Sequence, residues 1–159
     1  MKIAIIGATG YGGTELIRLL QQHPKSHFSQ SFIKSKGRNR LQKAIHICKP
    51  YRNGLQPLPG KIAQDADLVF TATPSGVSSE LVPELLKHGN RVIDLSGDFR
   101  LKDTQEYEDW YNKKAPDEAV LENAVYGLTE WLDTDLTETQ LVSNPGCYPT
   151  AALLGWHTC

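Results

Sequence analysis

A buried strand, a glycine-rich turn and a helix follow one another at the start of the chain. KIAIIG (residues 2–7) is a continuous, largely β-branched apolar run, which is typical of a strand covered on both faces of a parallel sheet. GATGYGG (7–13) then supplies the turn, and in TELIRLLQQH (14–23) leucine and isoleucine recur at helical spacing until Pro24. The order predicts the first strand-to-helix unit of an open parallel sheet.

The same alternation continues through most of the remaining sequence. Further strands are predicted in HFSQSFI, DADLVFTAT, RVIDLSG and QLVSN, and further helices in SSELVPELLKHG, TQEYEDWYNKK and PDEAVLENAVYG, the first of them closed by Gly89. The basic stretch 34–52 has no clear period. Strands that alternate with helices predict an α/β fold, a Rossmann-like parallel sheet with helices on both faces.

Composition narrows the class of protein. A chain of 159 residues has the size of one ordinary domain. Cys48, Cys147 and Cys159 show neither CxxC nor Cys/His spacing, so we expect no disulfide framework, no metal site and a reducing, cytoplasmic location. The apolar run at the N-terminus is too short for a secretory signal or a membrane span, so no membrane partner is expected.

Positive charge is concentrated in one part of the sequence. Between Glu15 and Asp65 there is no acidic residue, but there are many lysines and arginines. Such a block suits a phosphate-bearing ligand, a nucleic acid or simply a solvated loop. Because the interleaved aromatic residues of a single-strand nucleic-acid site are missing, we expect no nucleic-acid partner.

The glycine turn predicts a nucleotide site. Gly7, Gly10 and Gly13 form a G-x-x-G-x-x-G variant of the dinucleotide fingerprint, in which missing side chains let the backbone approach a pyrophosphate at a helix N-terminus. The alternative interpretation is a tight turn that requires positive φ. Where NAD-binding folds carry an acidic residue, this sequence has Lys34-Ser35-Lys36 and Arg38, which favours the 2′-phosphate of NADP. The predicted cofactor-binding residues are Gly7, Thr9, Gly10, Tyr11, Gly12, Gly13, Ser35, Arg38, Pro74, Ser75 and Gly76.

A cysteine follows the last predicted strand, in SNPGCYPTA (143–151). Pro145-Gly146 forces a bend and Pro149 suits the first turn of a helix, so Cys147 lies at or just before a helix N-terminus. The positive end of a helix dipole favours the thiolate, which is the nucleophilic form. The alternative is that Cys147 is a small buried apolar residue.

Two further residues near strand ends are candidates for substrate binding, Arg100 and Asn144. Arg100 either faces an anionic substrate or pairs with Asp98, and the ion pair is the expected role of Asp98. No histidine is paired with the cysteine in sequence, so no general base is predicted. A nicotinamide cofactor beside a nucleophilic cysteine predicts reduction of an activated acyl group through a thioester. The alternative is a non-catalytic NADP-binding module.

Five segments in this order resemble the N-acetyl-gamma-glutamyl-phosphate reductase family. They are GATGYGGTELIRLL, ATPSGVSSEL, VIDLSGDFRLKD, AVYGLTEW and SNPGCYPTAALLG, and they cover residues 1–24 and 63–155 with a gap between. The resemblance implies NADPH-dependent reductive dephosphorylation of N-acetylglutamyl 5-phosphate to the semialdehyde in arginine biosynthesis. Cys147 takes the place of the nucleophile, and Gly7, Gly10 and Gly13 take the place of the cofactor loop.

The resemblance also implies a division of the chain. Residues 1–146 correspond to the NADP-binding domain and residues 147–159 to the start of a catalytic domain, truncated before the family's second α+β domain. That second domain carries the general base and most dimer contacts of the family, which is homo-oligomeric. We therefore expect the chain to be a fragment that binds NADPH but turns over little substrate. We also expect Ala151, Leu153 and Leu154 to be left uncovered.

Overall fold

The order of elements in the computed structural model follows the predicted alternation. The structure describes residues 1–8, 10–24, 27–32 and 66–157, with residues 27–32 and 157 described by their backbone only. The strands are β1 (Lys2–Ile6), β2 (His27–Phe32), β3 (Leu68–Thr71), β4 (Arg91–Asp94), β5 (Ala124–Tyr126) and β6 (Leu141–Ser143). The helices are α1 (Tyr11–Gln22), α2 (Ser78–Lys87), α3 (Thr104–Tyr111), α4 (Glu118–Asn123) and α5 (Cys147–His157), with a 3-10 turn at Thr129–Trp131.

All strand pairs in the described residues are parallel, in the order β2-β1-β3-β4-β6-β5. The chain leaves β1 for β2 on one side and returns to place β3 on the other side of β1. The carboxyl ends of the strands therefore share one edge, and the strand order reverses between β1 and β3. Ligands of open α/β sheets bind at such a point.

The sheet carries a separate apolar core on each face. Ile3 and Ile5 of β1 point to the face covered by Leu16, Ile17 and Leu20 of α1. The alternate residues of β1, Ala4 and Ile6, point to the opposite face, where Val82 and Leu85 of α2 and Leu121 of α4 pack. This confirms the prediction of a sheet with helices on both faces.

The segment PDEAVLENAVYG contradicts the predicted continuous helix. Only Glu118–Asn123 is helical, and Ala124–Tyr126 pairs in register with β6 as a sixth strand. Asp117 begins the helix by accepting a hydrogen bond from the Ala119 N–H at 2.9 Å. A strand of three residues is too short to show alternation, and tertiary pairing decided its conformation.

The end of α2 was predicted correctly. Gly89 has φ +82°, its N–H donates to Leu86 O, and the Asn90 N–H donates to Leu85 O. These two bonds are those of a Schellman motif, in which a glycine in the left-handed region ends the helix. The turn also fixes where β4 begins.

Candidate functional site

The loops that follow the strands begin at one edge of the sheet and are tied to one another by backbone hydrogen bonds. The Ala72 N–H donates to Ile6 O, the Leu95 N–H to Thr71 O and the Asn144 N–H to Asp94 O, each at 2.8 Å. The ladder of the sheet thus continues for one residue into each loop. This brings the glycine turn and the segments 72–77, 95–100 and 144–147 to the same edge.

The glycine turn after β1 is closed by the backbone itself. Gly7 has φ +89°, and a Cβ at this position would lie 2.2 Å from Ala72 O. A Cβ at Gly13 would lie 2.6 Å from both Ala8 Cα and Gly7 O. Gly7 is required because the turn lies against the loop that follows β3, and Gly13 is required because α1 lies against the turn itself.

The N-terminus of α1 opens onto a cleft of about 600 Å³. Within the described residues no side chain caps this helix and its first turn has no acidic residue. Tyr11 is 99% exposed, and a Cβ at Gly12 would meet nothing within 4 Å. The first N–H groups of α1 are therefore accessible to an anion. The lining residues are Gly7, Gly10, Tyr11, Gly12, Gly13, Ala72, Thr73, Pro74, Val77 and Leu95.

The segment after β3 forms the opposite wall of the cleft. Thr73 and Pro74 line it, and the buried Oγ1 of Thr73 has no hydrogen-bond partner among the described residues. Ser75 lies outside the lining. Gly76, expected to face the ligand, instead donates its N–H to both carboxylate oxygens of Asp98 at 2.8 Å.

Asp98 is completely buried and organises the start of α2. Besides the Gly76 N–H, its carboxylate accepts hydrogen bonds from the Ser78 hydroxyl at 2.7 Å, the Ser79 N–H at 2.9 Å and the Tyr107 hydroxyl at 2.8 Å. A carboxylate at a helix N-terminus is stabilised by the free N–H groups and the dipole.

The expected ion pair between Asp98 and Arg100 is therefore wrong. The ion pairs in the described part of the chain are Glu15–Arg18 and Glu84–Lys87, both on helix surfaces. Asp98 turns to α2 because the backbone N–H groups there need an acceptor, whereas the half-buried Arg100 finds carbonyl acceptors in Leu95 and Asn144.

Asp94, the last residue of β4, is a second completely buried carboxyl group. It accepts a hydrogen bond from the Thr71 hydroxyl at 2.5 Å and lies 2.7 Å from the Ser96 hydroxyl through each of its oxygens. The Ser96 and Ser78 hydroxyls are in hydrogen-bond contact with each other. Burial is the main cause that raises the pKa of Asp94, against the hydrogen bonds that lower it.

Tyr107 of α3 completes this buried polar group. Burial and the hydrogen bond to Asp98 raise the pKa of its hydroxyl far above the usual value, so the phenol stays a donor. Its ring stacks on Tyr111 with centroids 4.7 Å apart. We call Thr71, Ser78, Asp94, Ser96, Asp98 and Tyr107 the buried polar network.

Arg100 holds the turn that precedes the cysteine. Its Nε donates to Asn144 O at 3.0 Å and its Nη2 to Leu95 O at 3.1 Å. A Cβ at Gly146 would lie 2.9 Å from Nη1 of Arg100, so the guanidinium lies directly against that residue. Asn144 in turn donates its side-chain amide to Pro145 O at 3.1 Å. Both predicted substrate-binding residues thus support the loop that presents Cys147.

Cys147 is an exposed free cysteine and the first residue of α5, as predicted. The Thr150 N–H donates to Gly146 O, which starts the helix, and the first turn has no acidic residue. Residues 151–156 of α5 are apolar and exposed, with Trp156 at 85% and Leu153 and Leu154 above 40%. This confirms the expectation that these leucines lack cover.

Several predicted residues lie outside the described part of the chain. These are Thr9, Ser35 and Arg38, together with Lys34, Lys36, Cys48, Cys159 and most of the basic block. In residues 1–8, 10–24, 27–32 and 66–157, no group of acidic, histidine and cysteine side chains is arranged to hold a metal ion. No helix in that same part is long and apolar enough to cross a membrane.

The sequence interpretation missed the buried polar network. Asp94 carried a usable signal, because strand alternation places it on the same buried face as Val92. Ser78 and Tyr107 carried none, since their partner Asp98 is 20 and nine residues away in sequence.

Comparisons with known proteins agree with this geometry. The family model described as "Semialdehyde dehydrogenase, NAD binding domain" matches residues 2–139, a span that includes the segment 25–62 left out of the earlier resemblance. The chain is 50% identical to the N-acetyl-gamma-glutamyl-phosphate reductase of Geobacillus sp. (strain WCH70), over 98% of this chain and 46% of that protein. It is 51% identical to the protein of the same name from Bacillus cereus (strain 03BB102), over 97% of this chain and 45% of that protein.

Solved structures show the same fold at low identity. Aspartate semialdehyde dehydrogenase II from Vibrio cholerae, in complex with ASA, superposes with a TM-score of 0.61 at 18% identity, over 96% of this chain and 44% of that chain. Biliverdin reductase from Synechocystis sp. PCC 6803, in complex with biliverdin and NADP+, gives a TM-score of 0.53 at 14% identity, over 90% of this chain and 37% of that one. The chain spans less than half the length of the curated reductases it matches. The chain has a glycine turn, a cleft where the strand order reverses and a family match over most of its length. It belongs to the semialdehyde dehydrogenase NAD-binding domains.

Proposed function

We propose that this chain is the cofactor-binding part of an N-acetyl-gamma-glutamyl-phosphate reductase of arginine biosynthesis. In this proposal NADP binds in the cleft beside α1, and Cys147 is the nucleophile that receives the acyl group. The observation that carries the proposal is an exposed cysteine at the start of α5, on a turn held by Arg100, at the same sheet edge as the nucleotide cleft.

The cleft fits a dinucleotide in three ways. The uncapped N-terminus of α1 offers N–H groups to a pyrophosphate. Gly12 leaves the approach open, and the orphaned Thr73 hydroxyl offers a donor on the opposite wall. When bound, NADPH supplies a hydride. The preference for NADP over NAD rests on Lys34, Ser35, Lys36 and Arg38 and is part of the proposal.

The residues at the other end of the edge would carry the acyl chemistry. The Cys147 sulfur bonds to the carbonyl carbon of N-acetylglutamyl 5-phosphate while the bond from that carbon to the phosphate oxygen breaks, so inorganic phosphate leaves with the electron pair. With the hydride that the cofactor would supply, the carbon–sulfur bond of the thioester would break, which would release the semialdehyde and return the Cys147 thiolate. The start of α5 would present the sulfur to the acyl group, and the nearby Arg100 would attract the phosphate.

The domain boundary proposed for the chain falls at this cysteine. Residues 1–146 would form the NADP-binding domain, and residues 147–159 would belong to a catalytic domain. The exposed apolar surface of α5 supports this division, because such a helix face is normally packed against another layer. The homo-oligomeric state belongs to the same proposal.

The test measures binding and acylation separately. We expect saturable binding of NADPH, tighter than that of NADH, and a mass increase by one N-acetylglutamyl group on Cys147 after incubation with the acyl phosphate. Cys147→Ser is the matched control, with unchanged NADPH binding and no acylation. NADPH binding without acylation of the wild-type chain would favour the non-catalytic module, whereas acylation of another residue would contradict the role of Cys147.

A further inference from the structure

In the buried polar network, the oxygen–oxygen contacts outnumber the hydrogen atoms that the serine hydroxyls can supply to them. Asp94, Ser96, Ser78 and Asp98 form a chain of three links, namely Asp94 with Ser96, Ser96 with Ser78, and Ser78 with Asp98. The two serine hydroxyls supply one hydrogen each. One link is therefore left without a hydrogen if both carboxyl groups are ionised, and two oxygen lone pairs then face each other in a buried site.

Neighbouring donors do not fill the missing position. The Thr71 hydroxyl donates to Oδ1 of Asp94, and the Tyr107 hydroxyl donates to Oδ1 of Asp98, so each adds a hydrogen bond outside the chain of three links. The third hydrogen must then sit on one of the two carboxyl groups.

The surroundings of the two groups decide between them. Asp98 accepts backbone N–H groups from Gly76 and Ser79 at the start of α2, which stabilise an anion. Asp94 has one longer backbone contact, from the Ser96 N–H at 3.3 Å, and faces hydroxyl groups otherwise. A buried carboxyl group without a cation or several backbone donors favours its neutral form.

No charged side chain in the described residues changes this assignment. Arg100, which follows in the same loop, donates to the carbonyls of Leu95 and Asn144. The Lys102 ammonium donates to carbonyl groups at the end of α4, namely those of Leu121, Glu122 and Ala124. The other titratable groups near the network are Asp98 itself, Tyr107 with its stacking partner Tyr111, and Lys113, whose side chain packs against Gly76, the residue that donates to Asp98.

We propose that Asp94 is a neutral carboxylic acid at neutral pH and a positioning residue for the turn that carries Cys147. Its Oδ2–H donates to Ser96, Ser96 donates to Ser78, and Ser78 donates to the Asp98 anion, so each link contains one hydrogen. The Asp94 carbonyl accepts from the Asn144 N–H at 2.8 Å, and the adjacent Leu95 carbonyl holds Arg100. The protonated network thereby connects the start of α2 with the cysteine turn.

The placement of the hydrogen does not depend on the proposed reaction, whereas the positioning role rests on Cys147 being the nucleophile. The two parts are therefore tested by different measurements. Failure of acylation in the preceding experiment leaves the infrared test below intact.

Infrared spectroscopy of the full chain tests the hydrogen placement directly. At neutral pH we expect a carbonyl band of a protonated carboxylic acid in the wild type, loss of this band in Asp94→Asn and its retention in Asp98→Asn. The two variants make the same chemical change on two carboxyl groups of one network. A wild type without the band, or a band lost only in Asp98→Asn, overturns the assignment.

The pH dependence of unfolding gives a second readout. Because the pKa of Asp94 is raised in the folded state, that state holds the proton more tightly than the unfolded chain does. The wild type should therefore lose stability relative to Asp94→Asn as the pH rises from the unfolded carboxyl value, about 3.9, to the folded pKa, and no further above it. A difference between the two proteins that grows in the opposite direction contradicts the proposal.

The positioning role is tested by rescue. Alkylation of Cys147 by iodoacetamide should change in rate in Asp94→Ala and return toward the wild-type rate in Asp94→Asn, whose amide can donate to Ser96 and accept from Thr71. Equal rates in all three proteins show that Asp94 does not position the turn. If Asp94→Ala does not fold, Ser96→Ala removes the middle of the chain and should change the rate in the same way.

Discussion

The carboxyl edge of the sheet carries the nucleotide cleft beside α1 and the turn that presents Cys147, and these two regions are built by opposite means. The glycine turn between β1 and α1 is shaped by missing side chains and leaves its N–H groups accessible. The loop 94–100 is shaped by polar side chains that hydrogen-bond to one another or to the backbone. An open backbone suits a ligand that brings its own acceptors, whereas a saturated network suits a rigid support for a reacting group.

The largest loss of stability is expected in the glycine turn between β1 and α1. Gly7→Ala introduces a Cβ 2.2 Å from Ala72 O at φ +89° and should lower the free energy of unfolding by about 3 to 5 kcal/mol. Urea denaturation measures the change. Gly89→Ala is the matched control, because Gly89 has φ +82° with nothing within 4 Å of its Cβ position. The control should lose only about 1 to 2 kcal/mol, the cost of a left-handed backbone for a residue with a Cβ. Equal losses in both variants would show that the contact with Ala72 contributes nothing.

An intermediate loss of stability is expected in the hydrogen-bonded loop 94–100. Arg100→Met removes the donors to Asn144 O and Leu95 O and should cost about 2 kcal/mol, since two partly buried carbonyls lose charged partners. The rate of Cys147 alkylation should change as well, because the turn is released. Arg100→Lys, which keeps the charge but not the two-pronged geometry, should recover part of the stability. A Met variant as stable as the wild type would show that the turn is held by Pro145 and Gly146 alone.

The smallest effect on stability is expected in the cleft itself. Gly12→Ala adds a methyl group in open space within α1 and should change the free energy of unfolding by less than about 1 kcal/mol, in the stabilising direction. The same methyl group should weaken NADPH binding, because it stands at the approach to the helix N-terminus. Calorimetric titration of NADPH into both proteins measures this difference. Unchanged affinity would place the pyrophosphate away from Gly12.

Local sequence patterns predicted the glycine turn better than the hydrogen-bonded loop 94–100. The glycine spacing, the strand before it and the helix after it are all contained in residues 2–23, so local sequence sufficed. The roles of Asp98 and Arg100 depend on Gly76, Tyr107 and Asn144, which are distant in sequence. The strand β5 was missed for a similar reason, since three residues acquire strand geometry only by pairing with β6.

The exposed helix α5 makes the reactivity of Cys147 a property of its surroundings. Eleven residues are too few to keep a helix intact in water without a surface to pack on. The helix N-terminus at Cys147 exists only for the fraction of time in which the first turn is formed. A surface that packs on the exposed apolar residues of α5 would therefore order the helix and fix the position of the Cys147 sulfur at the same time. The labelling rate of this cysteine should accordingly differ between the exposed helix and a helix that is packed against another surface.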